Sequence, residues 1–155
     1  MCDIIYLNER KRGVAMERLE RAKRILFDGD FTCAGFDGES TLCSKRRGVA
    51  PLIEILDSGK SVTRYAFADK VVGAGAAFLY VKLGVKVLYA DVISERALDV
   101  LTGYGVYTQY RETVPYIRNR AGDGKCPMET AVQGIEDADT AVRAIRERLK
   151  ELSAK

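Results

Sequence analysis

Apolar and polar positions recur along most of this chain with the periods of helices and strands. Apolar residues return every three or four positions from Met16 to Phe27, which predicts an amphipathic helix. The preceding fifteen residues carry no such pattern. We therefore expect residues 1–15 to form an N-terminal extension, with Met16 as an alternative true start, and residues 16–155 to form a single domain.

A hairpin and a short helix follow the first helix. Asp37-Gly38 lies between two short runs of strand-forming residues and predicts a tight β-hairpin. Cys33 and Cys43 fall on its two arms, and we interpret them as half-buried strand residues rather than a functional thiol pair. A short helix is then expected, with Pro51 at its first position and Gly59 as its stop.

The second half of the chain alternates strands with helices. Residues 62–69 form a predicted strand that leads to Asp69, a candidate N-cap for the apolar helix that follows. Small residues at Gly73–Ala77 would let another backbone come very close to that helix. Residues 85–93 are a continuous apolar strand, typical of a parallel sheet buried on both faces, and Ser94 is the expected cap of the next helix.

Three elements complete the predicted order. A strand at 106–110, a short helix or turn at 114–120 and an amphipathic helix reaching Leu149 are expected. Strands that alternate with helices imply right-handed crossovers and helices on both faces of the sheet, so the fold class is α/β. Ligands of such sheets bind beyond the carboxyl ends of strands, where helix N-termini converge.

The amino-acid composition excludes several classes of function and site. The balance of 25 basic and 22 acidic residues indicates no dedicated nucleic-acid partner. The absence of histidine excludes histidine-based triads and most catalytic zinc centres. The four cysteines form no C-x-x-C pair, no run of about 18 apolar residues is found, and MCDIIYLNERKRG at the N-terminus lacks the apolar stretch of a signal peptide. We expect a cytoplasmic protein with reduced thiols and no membrane association.

The segment NRAGDGKCPMET, residues 119–130, looks least like scaffold. Cys126 is placed as an N-cap before Pro127, and Glu129 could return to the Cys126 backbone N–H as in a capping box. The polar residues just before this cap are Asn119, Arg120, Asp123 and Lys125. A thiol at a helix N-terminus beside basic side chains is a candidate nucleophile or redox-sensitive thiolate. A ligand-binding loop, structure alone and a reactive thiol all stay open.

Four segments resemble a small family of uncharacterised prokaryotic proteins, a domain-of-unknown-function family whose fold is similar to that of cytidine deaminase. These segments are RRGVAPLIEIL (46–56), ADKVVGAGAA (68–77), YADVIS (89–94) and NRAGDGKCPME (119–129). The resemblance spans Met16 to Val132 and implies a three-layer α/β/α domain with a mixed sheet. Zinc deaminases carry H-x-E or C-x-E at one helix start and P-C-x-x-C at the next. Residues 71–77 and 93–100 lack these ligands, so zinc-dependent deamination is not expected.

We therefore expect a metal-free, deaminase-like domain that binds a small anionic or nucleotide-like ligand, as a sensor or a non-zinc enzyme. The alternatives are a protein-interaction or oligomerisation module without a ligand, and a thiol redox sensor acting through Cys126. No metal or other cofactor is expected. The candidate ligand-binding residues are Asp69, Lys70, Gly73, Gly75, Ser94, Asn119, Arg120 and Lys125, with Arg46 and Arg47 as further phosphate contacts. The candidate catalytic residues are Cys126, Glu129 and Asp69.

Overall fold

A computed structural model describes residues 9–154 of the chain. The helices are α1 (Glu9–Asp28), α2 (Ala50–Ser58), α3 (Ala74–Lys82), α4 (Glu95–Gly103), α5 (Pro127–Ala131) and α6 (Ala138–Ser153). The strands are β1 (Cys33–Phe36), β2 (Thr41–Ser44), β3 (Ala66–Val72), β4 (Val87–Ser94) and β5 (Tyr107–Val114). Within this described part, no helix combines the length and the apolar character needed to cross a membrane.

The described strands form one mixed sheet with the order β2-β1-β3-β4-β5. β1 runs antiparallel to both β2 and β3, whereas β3, β4 and β5 run parallel. The predicted hairpin is β1–β2, closed by residues 37–40, where Asp37 Oδ1 accepts hydrogen bonds from the N–H groups of Glu39 (2.8 Å) and Ser40 (2.6 Å). The predicted α/β class is confirmed, with the hairpin supplying the antiparallel part.

Apolar side chains are buried on both faces of the sheet. On one face, Leu19 and Leu26 of α1 pack against Ala66 and Ala68 of β3. Phe67 lies between those two alanines and points to the opposite face, because successive residues of a strand alternate. There it joins a larger core with side chains from α2, α3, α4, α5 and α6. Side chains of α1 thus belong to the core on one face of the sheet, and side chains of the other described helices belong to the core on the second face.

Two predicted boundaries are wrong. α1 begins at Glu9 rather than at Met16, so residues 9–15 are helical, and residues 1–8 lie outside the described part. The first turns of α1 are mostly exposed, which is why no apolar period marks them. Residues 114–120 form no helix, because β5 continues to Val114 and the chain then enters a turn that closes a hairpin.

The β3–α3 junction also differs from its prediction. β3 continues through Asp69 as far as Val72, and Gly73 is the N-cap of α3. Asp69 is therefore a strand residue and not a helix cap. The adjacent Val71 and Val72 favour extended backbone, because β-branched side chains fit a pleated sheet. They are the sequence signal for the longer strand.

Three local signals are confirmed. α2 has Pro51 in its first turn and ends at Gly59, whose φ of +73° suits a glycine. Ser94 is the N-cap of α4, and its side chain accepts a hydrogen bond from the Ala97 N–H at 3.2 Å.

Side-chain alternation slips by one position near the carboxyl end of β3. Phe67 and Val72 belong to the same core cluster although an odd number of positions separates them. The pairing of β3 with β4 is interrupted between them, at Lys70. Val71 consequently turns away from that core and is 48% exposed. This slip creates an apolar surface at the ends of the parallel strands.

Candidate functional site

The N-terminus of α3 is covered by α5. A Cβ atom placed on Gly75 would lie 2.9 Å from Met128 Cβ, so the missing side chain permits the close approach predicted from the sequence. A Cβ atom placed on Gly73 would lie 3.1 Å from Glu129 Oε1. The predicted regions 69–75 and 119–130 therefore meet here, and they meet through packing of the chain against itself.

Glu129 holds the segment before α5 rather than its own helix start. Its Oε1 accepts a hydrogen bond from the Ile117 N–H at 3.1 Å, and the residue is 9% exposed. The predicted capping box is wrong, because the Cys126 N–H donates to Ile117 O at 2.8 Å instead. The chain before α5 folds back, so that the Ile117 N–H bonds to the Glu129 side chain and the Ile117 carbonyl accepts from the Cys126 N–H. The Glu129 carboxylate thus stands beside Gly73, near the place where an anionic ligand was expected.

Residues 117–126 form a closed turn that we call the basic hairpin. The Asn119 N–H donates to Gly124 O at 2.9 Å. The Asn119 side chain donates to Asp123 Oδ1 at 2.9 Å and accepts from the Asp123 N–H at 3.2 Å. Asn119 and Asp123 are therefore accounted for by the turn itself.

The basic side chains of this hairpin take no part in the hydrogen bonds described for its turn. Lys125 Nζ lies 5.4 Å from the centre of the Tyr116 ring, a cation–π arrangement. Arg118 and Arg120 are exposed, and neither forms an ion pair with another residue of the described range 9–154. The hairpin therefore presents positive charge that the described part of the chain does not neutralise.

An apolar groove of about 350 Å³ lies beside the basic hairpin. Its lining residues are Val71, Val92, Val114, Pro115, Tyr116, Ile117 and Arg118. The three valines come from the carboxyl ends of β3, β4 and β5, where open α/β sheets bind their ligands. The sequence predicted this edge of the sheet but missed these residues. A valine near the end of each parallel strand is the signal that marks them.

Two other predicted ligand residues have structural partners. Lys70 lies within β3 and forms an ion pair with Asp30, just beyond α1, and the Lys70 ammonium lowers the pKa of that carboxyl. Ser94 is fully buried beneath the start of α4. The ligand residues predicted to gather at two helix N-termini therefore do not form one cluster. Lys70 extends toward the end of α1, and Ser94 lies inside the core.

Asp69 belongs to a hydrogen-bonded group that we call the buried triad: Cys33, Tyr80 and Asp69. Tyr80 Oη donates to Asp69 Oδ2 at 2.6 Å, and Cys33 Sγ lies 3.4 Å from Tyr80 Oη. The Val71 N–H donates to Asp69 Oδ1 at 3.2 Å. Cys33 and Asp69 are directly paired on β1 and β3, and Tyr80 reaches them from α3. Strand pairing and helix packing assemble this group from three elements.

Burial sets the protonation of the buried triad. It raises the pKa of Asp69 to about 7, although the hydrogen bonds from Tyr80 and Val71 act in the opposite direction. Burial also raises the pKa of Cys33 and that of Tyr80, and the Asp69 charge adds to both shifts. The tyrosine has one hydrogen, so an ionised Asp69 receives it and the Cys33 thiol donates to Tyr80. A protonated Asp69 permits the reverse direction.

Comparison with known proteins reveals the family of this chain. A family model described as TM1506, domain of unknown function (DUF1893), matches residues 21–149. The chain belongs to the DUF1893 family. It is similar to the crystal structure of a DUF1893 family protein (TM1506) from Thermotoga maritima, with a TM-score of 0.80 and 27% sequence identity over 85% of this chain and 90% of that chain. A search of curated proteins finds no match.

The predicted membership of a family of unknown function is confirmed. The DUF1893 match begins within α1 and continues past Val132 through most of α6, so it includes both the groove and the buried triad. Similarity to cytidine deaminase stays a prediction. Within residues 9–154, no three His, Cys, Asp or Glu side chains lie close enough together to hold a metal ion.

The remaining predicted residues of this DUF1893 domain lie elsewhere. Cys126 is half-buried and packs against the larger core, at the N-terminus of the five-residue helix α5. Arg46 forms an ion pair with Glu54 of α2, and Arg47 is exposed. These two arginines follow β2, at the opposite edge of the sheet from β5. They are therefore separate from the groove.

Proposed function

We propose that this DUF1893 domain binds a small anionic, nucleotide-like ligand in the apolar groove. The apolar or aromatic part of the ligand would lie on Val71, Val92 and Val114, and its anionic group would meet the basic hairpin. The observation that carries the proposal is the placement of this valine-lined groove at the ends of three parallel strands, beside the Arg118 guanidinium, which forms no ion pair within residues 9–154.

The composition of the groove supports a ligand of mixed character. Its volume of about 350 Å³ falls within the range of small-molecule sites. The Tyr116 ring is 37% exposed and offers a face for stacking. The Arg118 guanidinium can form two parallel hydrogen bonds with a phosphate or carboxylate, and Lys125 and Arg120 add positive charge nearby. A nucleoside monophosphate combines these two kinds of chemistry.

The lining of the groove favours binding over catalysis. Among the described residues that line it, the ionisable side chains are Arg118 and Tyr116, and the rest are apolar. A general base or nucleophile is ordinarily a carboxylate, imidazole, thiol, amine or activated hydroxyl, and among the described lining residues Tyr116 supplies the one hydroxyl and no base to activate it. The carboxylate of Asp69 is engaged in the buried triad, and that of Glu129 holds Ile117. We therefore favour a sensor or carrier of the ligand over an enzyme.

The competing proposal is a protein-interaction module without a small ligand. It is favoured by exposed apolar side chains outside the groove, namely Phe27 (47%), Tyr104 (45%) and Tyr110 (47%). In that case the groove would receive an apolar side chain of a partner, and charged small molecules would not bind.

The test is a thermal-melt and calorimetric screen with nucleoside 5′-monophosphates, the matching nucleosides and inorganic phosphate. A monophosphate at about a hundred times its Kd adds roughly 2.7 kcal/mol, a shift of several degrees for a domain of this size. The nucleoside and inorganic phosphate should each bind at least about tenfold more weakly, because each satisfies half of the site.

Two variants locate the binding. Val71→Asp places a carboxylate on the floor of the groove and should abolish the shift. Val14→Asp is the matched control, because Val14 is 39% exposed on α1, outside the groove lining. A shift that persists in Val71→Asp, or a screen in which no monophosphate stabilises the wild type, would contradict the proposal and favour the interaction module.

A further inference from the structure

The two edges of the sheet differ in how they are protected from pairing with another chain. β2 has four residues and is followed directly by Lys45, Arg46 and Arg47. β5 has eight residues with the sequence YTQYRETV, which contains no proline, glycine or lysine. Short strands, lysine and proline are the usual protection of an exposed edge. The edge formed by β5 lacks all three, and its two charged side chains, Arg111 and Glu112, which also protect an edge, form ion pairs within the chain.

The backbone groups on the outer side of β5 have no strand partner among the described residues. In the sheet of described residues, β4 is the single neighbour of β5. The Tyr107 N–H donates to Lys86 O at 2.9 Å, which directs the odd-numbered residues of this part of β5 toward β4. Thr108 and Tyr110 therefore direct their N–H and C=O groups outward. The Tyr110 side chain is 47% exposed on the same strand.

We propose that β5 pairs antiparallel with β5 of a second copy of this chain, about a two-fold axis at Tyr110. A two-fold axis perpendicular to the sheet places one residue opposite its own copy. An axis at Arg111 or Glu112 would place like charges directly opposite each other, which is unfavourable. The axis at Tyr110 places two aromatic rings opposite each other instead, a favourable cross-strand pair.

The charges of β5 agree with this register. With the axis at Tyr110, Arg111 lies opposite Gln109 of the second copy, and Glu112 follows the interruption of the β4–β5 pairing at Arg111 and lies near Thr108 of the second copy. Each charged side chain thus meets a polar, uncharged one. The two sheets join into one, and the pairing is closed, because each copy uses its β5 edge once. This interface is separate from the ligand proposal and does not require it.

The first test is the mass of the purified full chain by light scattering and sedimentation over a concentration series. The expected mass is twice the chain mass of 17.2 kDa. Tyr110→Lys should weaken the dimer by about tenfold or more, because lysine is a natural edge blocker. Tyr104→Lys is the matched control, since Tyr104 is similarly exposed but lies at the end of α4, and it should leave the dimer unchanged.

The second test fixes the register by crosslinking. In a background with Cys2, Cys43 and Cys126 replaced by serine, Tyr110→Cys should form an interchain disulfide, because opposed residues of a hydrogen-bonded antiparallel pair have Cα atoms about 5.5 Å apart. Glu112→Cys should not, since its copy would lie roughly 14 Å away. A monomer at all concentrations up to about 1 mM, or a dimer that Tyr110→Lys leaves intact, would overturn the proposal. Preferential crosslinking at position 112 would do the same.

Discussion

Replacing Asp69 by asparagine should remove a pH-dependent loss of stability. The folded chain keeps the Asp69 proton until about pH 7, because burial raises the pKa of that carboxyl from its ordinary value of 3.8. Between those two pH values the folded state binds one proton more than the unfolded state. The free energy of unfolding of the wild type therefore falls as pH rises from about 4 to about 7, and this contribution then stays constant.

The substituted side chain fits the buried triad. The amide oxygen can accept from the Val71 N–H, and the amide nitrogen can donate to Tyr80 Oη, which frees the tyrosine hydrogen for Cys33 Sγ. A pKa rise from 3.8 to about 7 corresponds to an upper limit of about 4 kcal/mol. Asp69 keeps part of its surface exposed, and solvent screens its charge, so we expect a gain of about 1–3 kcal/mol at neutral pH.

The assay is urea unfolding of both proteins, followed by circular dichroism under reducing conditions at several values from about pH 4 to about pH 8. The advantage of Asp69→Asn should grow up to about pH 7 and then level off. Asp91→Asn is the control of opposite sign: Arg111 Nε lies 2.9 Å from Asp91 Oδ1 and lowers the pKa of that carboxyl. That variant should lose about 1 kcal/mol at neutral pH. A stability difference for Asp69→Asn that does not change with pH would refute the reasoning.

Two further predictions concern packing and thiol access. Gly75→Ala should destabilise the domain by about 1–3 kcal/mol in chemical unfolding, because the new Cβ would lie 2.9 Å from Met128 Cβ. The control is Gly13→Ala in α1, where a Cβ atom would meet no neighbour, and it should stabilise the domain by about 0.5–1 kcal/mol. Maleimide should label the exposed Cys43 rapidly and the buried Cys33 at the rate of global unfolding, and equal rates for the two thiols would contradict the structure.

The redox-sensor hypothesis for Cys126 is tested by the same labelling. The thiol is less exposed than that of Cys43, so access alone predicts slower labelling at Cys126. Labelling of Cys126 faster than Cys43 at neutral pH would show an activated thiolate and support the sensor. Slower labelling would assign Cys126 to the packing of α5 against the core.

Much of the architecture could be predicted from the sequence because its signals are local. The cap at Ser94, the turn at Asp37-Gly38 and the bounds of α2 depend on residues within a few positions of each other. The order of strands and helices followed from the apolar periods. Even the close approach at Gly75 was predictable, because a run of small residues in an apolar helix implies a neighbouring backbone. The identity of that neighbour was not.

The candidate site could not be predicted in detail because the residues that form it are distant in sequence. Whether Asp69 is a strand residue or a helix cap depended on where β3 ends. Val71 and Val72 extend the strand past Asp69, so Asp69 is a strand residue. Glu129 follows the local rule for a capping box, yet a folded-back hairpin offered it the Ile117 N–H instead. Rules for caps and turns consider only hydrogen-bond partners that are close in sequence. Tertiary contacts bring in partners from distant segments, which those rules do not include.

The sequence by itself determined an α/β domain of a family of unknown function, the hairpin turn at Asp37-Gly38, the cap at Ser94, and the edge of the sheet where a site was expected. The tertiary structure alone decided that Asp69 is a half-buried strand residue with a pKa of about 7, that Glu129 lies beside Gly73, and that three valines line a groove. The physical reason is that a helix cap and an apolar repeat depend on residues within one or two helical turns of each other in sequence. Desolvation and side-chain packing depend on every element that the fold brings close.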